Sequence, residues 1–110
     1  MQRYTLYCTE AQTRKALELG APIFPTSFND NGKHQIFDKL NLCYYDIPTA
    51  GQMLGWLRSK GLRFKIAEYT NTTYWQYHNE SSFKCGSELY YKDAVLSLID
   101  AALDYLTNNK

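Results

Sequence analysis

Nowhere in the 110 residues is there an apolar run of about 18 residues, the length a helix needs to cross a bilayer, so a membrane-spanning helix is excluded. The opening residues, Met1 to Tyr7, lack the apolar stretch of a secretory signal, and the expected setting is cytoplasmic. Cysteine is sparse. Cys8, Cys43 and Cys85 are odd in number and have no CxxC spacing, which argues against a disulfide framework or a local zinc knuckle. A charge excess is missing too. Five cations face five acids over residues 1–46, five face three over 47–91 and two face three over 92–110, giving a net charge of +1. No segment has the one-sided charge of a typical nucleic-acid or membrane-surface protein, and no RNP, KH or zinc-finger signature appears.

What is present fits one folded domain over residues 1–110. A hydrophobic share of 45% and a charged share of 21% are ordinary for globular proteins, so neither disorder nor a fibrous repeat is indicated. Tyrosine is abundant: ten Tyr join two Trp and five Phe, mostly in strand-like runs, where a flat ring with a polar edge suits a half-buried pleated face.

One phrase occurs twice. Thr9-Glu10-Ala11-Gln12 opens a helical stretch that stops at Gly20, and Thr49-Ala50-Gly51-Gln52 opens another that stops at Gly61. A Thr at the N-cap accepts from the N–H three residues on, and the Gln there reaches back to the cap's own N–H. Gly then supplies the left-handed turn that ends each helix. The first helix, about Glu10 to Leu19, has a thin apolar stripe around Ala16 and Leu17 and is expected to be peripheral. The second, about Ala50 to Lys60, sets Ala50, Met53, Leu54 and Leu57 on one face, widened by Trp56. A third, 92–107, carries Val95, Leu98, Ile99, Ala102, Leu103 and Leu106 on a broad face and is the expected apolar lid over the sheet.

Strands fill the intervals. Ala21 to Pro25 reads as an extended edge segment, Asn29 to Gly32 as a turn, Lys33 to Phe37 as a return and Leu42 to Ile47 as a strand. Past Gly61, Leu62, Phe64 and Ile66 alternate with Arg63, Lys65 and Ala67, the pattern of a strand with one wet face. Thr72 to His78 follows, with Thr73, Trp75 and Tyr77 on one side and Tyr74, Gln76 and His78 on the other. Phe83 and Cys85 continue the meander, and Glu88 to Tyr91 closes it. The fold expected is α+β: an antiparallel meander sheet with helices mainly on one face, two pseudo-repeated helix–meander units at about 6–46 and 47–91, and a C-terminal helix.

Three blocks, Cys8 to Ile23, Ile47 to Gly61 and Ile99 to Leu106, make the chain resemble small proteins of gut-anaerobe bacterial genomes and their phage-like mobile elements. The blocks are helix caps and core faces. The resemblance implies a bacterial cytoplasmic setting and brings no activity, cofactor or site residue with it.

Two surfaces emerge as binding candidates. In adjacent Tyr pairs on a strand the rings point to opposite faces, so Tyr44, Tyr45, Tyr74, Tyr77, Tyr90 and Tyr91 are expected to leave a tyrosine-rich face for a protein partner or a second copy. Arg58, Lys60, Arg63 and Lys65, in the company of Trp56 and Tyr69, form the one basic and aromatic cluster, a combination that holds single-stranded nucleic acid. The plainer reading of those cations is a helix C-terminus and the wet face of a strand. The three Cys with His34 and His78 show no orienting third group, and small buried Cys in strands is the expected role. The two His are 44 positions apart and neither has a carboxylate at i, i+4 on a helix, so no metal site is expected. Asp100 and Asp104 read as a solvated helix face and Asp93 as a complement to a helix dipole. Neither a catalytic residue nor a cofactor is expected, and the most favoured function is a non-enzymatic interaction module or small homo-oligomer.

Overall fold

Residues 6–22, 35–38 and 43–109 are described in the computed structural model, 35–38 and 43–46 by their backbone alone. In chain order they form α1 (Glu10–Glu18), β1 (Gln35–Asp38), β2 (Cys43–Asp46), α2 (Ala50–Ser59), β3 (Arg63–Tyr69), β4 (Thr72–His78), β5 (Phe83–Glu88) and α3 (Tyr91–Asn108), an α+β fold. The edge segment and turn expected at 23–32 lie outside the described residues.

Both capping boxes form. Thr9 Oγ1 accepts from the Gln12 N–H at 3.1 Å while Gln12 Oε1 accepts from the Thr9 N–H at 3.0 Å. At Thr49 and Gln52 the same two bonds measure 3.1 and 2.9 Å. Gly20 and Gly61 take φ of +94° and +91°, a conformation costly for any residue with a Cβ, and each ends its helix. The segments leading into the two helices pair antiparallel, with the Cys8 N–H donating to Pro48 O at 3.0 Å and the Ala50 N–H to Leu6 O at 2.8 Å. Among the described residues, β1 and β2 pair as a two-stranded sheet and β3, β4 and β5 as a three-stranded one.

The larger sheet is an antiparallel meander in the order β3-β4-β5. A further strand, expected at Glu88 to Tyr91, is replaced by a bend. β5 runs unbroken to Glu88, Leu89 and Tyr90 turn the chain, and Tyr91 is already helical. Strand preference of the two tyrosines yields here to the helix that carries Ala94, Val95 and Leu98, all buried against the sheet side of the core.

The core lies between this sheet and α3. Leu98, Ile99, Ala102 and Leu103 of α3 meet Trp75 and Tyr77 of β4, while Met53 and Leu57 of α2 and Ala16 of α1 complete the apolar cluster. Each large side chain so buried contributes about 1.5–3 kcal/mol. The helix α3 packs on β4 and β5 and more lightly on β3; α1 and α2 both pack on α3. The Trp75 indole lies against Gly86, where a Cβ would stand 2.4 Å from the ring, so only glycine lets the helix-side surface of β5 accept it.

The first helix is tied in by polar groups that its thin stripe does not reveal. Gln12 and Thr13 are buried with Ala16, whereas Ala11 is exposed. The Gln12 amide donates to Leu96 O at 2.9 Å and to Asp100 Oδ1 at 2.8 Å, and Lys15 pairs with Asp104. Asp100 and Asp104, expected to be merely solvated, therefore form the seam between α3 and α1.

Candidate functional site

Strand alternation and pairing register divide the side chains of β3, β4 and β5 into two faces. Toward α3 point Phe64, Ile66, Thr73, Trp75 and Tyr77. On the other face the register makes successive rows: Arg63 with His78 and Phe83, Lys65 with Gln76 and Cys85, Ala67 with Tyr74 and Ser87, and Tyr69 with Thr72. This face is open. Tyr69, Tyr74 and Phe83 are 66%, 50% and 62% exposed, and a shallow depression of about 750 Å³ runs over Lys65, Tyr69, Tyr74, Gln76, Phe83 and Cys85. Tyr69 and Tyr74 meet edge to face with ring centres 5.3 Å apart.

No carboxylate belongs to these rows. At the His78 end, Arg63 is joined by Arg58 and Lys60 from the end of α2, and smaller depressions there are bordered by Arg58, Arg63 and His78 and by Lys60, Arg63 and Glu80. The ion pairs among the described residues are Arg14 with Glu10 within α1 and Lys15 of α1 with Asp104 of α3, so Arg58, Arg63 and Lys65 have no acidic partner among those residues. Lys60 lies over the Trp56 ring, 5.6 Å from its centre.

Of the six interaction-candidate tyrosines, the four whose side chains are described do not share one surface. Tyr74 is on the open face. Tyr77 is 4% exposed on the opposite face and packs against Tyr105 with centres 5.7 Å apart, so it belongs to the core. Burial pushes its phenol above the usual range. Tyr90 and Tyr91 are exposed at the start of α3, off any strand, and Tyr91 borders a small hollow with Gly51 and Leu54 of α2. The side chains of Tyr44 and Tyr45 lie outside the described residues.

The basic and aromatic cluster divides differently. Arg63, Lys65 and Tyr69 share the open face, Arg58 and Lys60 flank one end of it, and Trp56 packs against the core with Lys60 over its ring. Sequence reasoning overlooked Phe83, whose ring completes the basic row, and it assigned Tyr74 and Lys65 to different surfaces. Alternation alone placed both on the same side of their strands; the missing information was the register between strands.

Elsewhere the chemistry is quiet. Cys8 is buried, its thiol donates to Thr49 O at 3.8 Å, and burial with the nearby Asp100 charge pushes its pKa up to about 12. Such a thiol carries almost no thiolate at neutral pH. Cys85 is exposed on the open face, while His34 and the Cys43 side chain lie outside the described residues. Among the described residues no three His, Cys, Asp or Glu side chains gather closely enough to hold a metal ion, and no helix is long and apolar enough to cross a membrane.

No protein-family model, curated protein or solved structure matches the chain. What the open face does is therefore read from its own side chains.

Proposed function

We propose that this protein is a non-enzymatic binding module and that the open face of β3, β4 and β5 is its binding surface. The observation that carries this reading is the contrast on β4: Tyr77 is buried under α3, while Tyr74, three residues earlier, stands half exposed beside exposed Tyr69 and Phe83. Large rings left in water on one wall of a sheet, rimmed by polar side chains, are the composition of a recognition surface. The buried, protonated Cys8 supports a binding role over thiol catalysis, since the depressed pKa that activates a cysteine is reversed here. A bacterial cytoplasmic setting is part of the same proposal and is supported by the resemblance of the helix caps alone.

Amide shift mapping by NMR tests it, first as the protein's own concentration rises and then as mixed-sequence single-stranded oligonucleotide is added. Shifts gathered on residues 63–76 and 83–87 are the expected result. Shifts gathered instead around Leu89 to Tyr91 and the start of α2, or none in either series, would overturn the assignment of this face.

A further inference from the structure

Resting on that assignment, we infer that the occupant of the open face is a single-stranded nucleic acid, with bases stacked on Tyr69, Tyr74 and Phe83 and phosphates held by Arg63, Lys65 and Arg58. Charge complementarity is the first reason. Arg63 and Lys65 lie two residues apart on the wet side of β3, Arg58 borders the same hollow as Arg63, and none has an acidic partner among the described residues. The rows of the open face hold cations, amide, imidazole, hydroxyl and thiol groups, but no carboxylate. A polyanion lies on such a surface without repulsion. A second copy placed face to face would bring two uncompensated basic surfaces together.

Geometry is the second reason. From Arg63 to Tyr69 the strand spans roughly 20 Å at ~3.3 Å per residue, with the cations toward one end and the Tyr69–Tyr74 pair at the other. Phe83 closes the Arg63 row at the basic end, two strands from Arg63 with His78 between them, so an exposed ring lies at that end as well. An extended strand of nucleotides fits this arrangement, since its bases are free to stack on exposed rings while its backbone passes the cations; an open sheet of this kind takes about two or three bases. A regular duplex hides its bases in the stack and offers the rings nothing to stack on. Gln76, between Lys65 and Cys85, is the one side-chain amide in these rows placed to read a base edge.

The experiment is a fluorescence-anisotropy titration of the whole chain with single-stranded RNA and single-stranded DNA of mixed sequence, and with the matching duplex, across a salt series. Single strands are expected to bind more tightly than duplex, with log K falling against log salt by ~0.7 for each phosphate neutralised. Tyr74→Ala is expected to weaken binding roughly tenfold while leaving the salt slope unchanged, because it removes a stacking ring. Arg63→Gln is expected to weaken binding several-fold and to reduce the slope by ~0.7. Both side chains are exposed, so both variants retain the fold, which circular dichroism checks. A preference of RNA over DNA, or the reverse, identifies which polymer is bound and supports the inference either way. Equal or tighter duplex binding, or affinity indifferent to Tyr74→Ala, would overturn it. Failure of every oligonucleotide to bind, with self-association mapping to the same face, would overturn the nucleic-acid occupant and leave the binding-face reading standing; failure of both removes both.

Discussion

Tyr74 and Tyr77 sit three residues apart on one strand and lead opposite lives. Tyr77 faces α3, packs on Tyr105 and is almost wholly withdrawn from water; Tyr74 faces outward, touches Tyr69 and keeps half its surface wet. The same comparison extends to the whole sheet. One face is a packed layer in which even a Cβ at position 86 has no room, and the other is a shallow wall of rings and cations with room above it. Identical residue types thus serve packing on one side and, in the binding reading proposed above, recognition on the other; alternation separates the two faces, and α3 decides which of them is covered.

The sharpest way to break this comparison is to truncate both rings. Tyr77→Ala is expected to cost about 3–5 kcal/mol in urea unfolding, as other buried aromatic truncations do. If it costs under ~1 kcal/mol, the covered face is not the core. Gly86→Ala tests the same packing from the neighbouring strand and is expected to cost about 1–3 kcal/mol, since the Trp75 ring must move to admit the methyl group. A neutral result would show that the ring has room to shift.

Next comes the polar seam of α1. Gln12→Ala removes half of a capping box together with the buried bonds to Leu96 O and Asp100, and a loss of about 1–3 kcal/mol is expected. Gln52→Ala, which removes the equivalent half-box at the second helix, is the comparison: Gln52 is only half-buried, and a smaller cost of ~1 kcal/mol is expected there.

Cys8 and Cys85 repeat the contrast between buried and exposed positions. The Cys8 pKa is raised from 9.0 to about 12 in the folded protein, so its contribution to stability is fully present below 9 and is lost as pH rises through 9 toward 12. Cys8→Ala lacks that titration. The stability difference between wild type and this variant should accordingly narrow over that interval, as urea unfolding at matched pH would show, and a constant difference would refute the assigned burial of the thiol. At neutral pH an alkylating agent should label exposed Cys85 well before Cys8 in the native protein. The smallest effect on stability is expected at the open face itself. Tyr74→Ala should cost no more than about 0.5–1.5 kcal/mol, the worth of its edge contact with Tyr69, even though it is expected to weaken the proposed binding.

Much of the fold is legible in the chain. The Thr-x-x-Gln caps, the two left-handed glycines and the boundaries of β4 follow from local chemistry, because capping and side-chain alternation involve neighbours within a few residues. The apolar face of α3 is equally plain from its spacing. Less legible was Gln12, whose burial depends on carbonyl and carboxylate groups supplied by α3 more than eighty residues away. Tyr90 and Tyr91 misled for the opposite reason: their β preference is local, and the packing of the helix that begins there outweighs it.

The candidate site divides in the same way. By itself the sequence determined which residues alternate on each strand, where the two Thr-capped helices begin, and that it holds no apolar run long enough for a bilayer-spanning helix. Only the tertiary structure decided that α3 covers the Tyr77 side and leaves the Tyr74 side in water, that register brings Phe83 into line with Arg63, and that Trp56 is turned into the core with Lys60 above it. The physical reason is range. Period-two alternation is a property of one strand, whereas the choice of buried face and the rows across it are made by hydrogen-bond ladders and by a helix that joins the chain last.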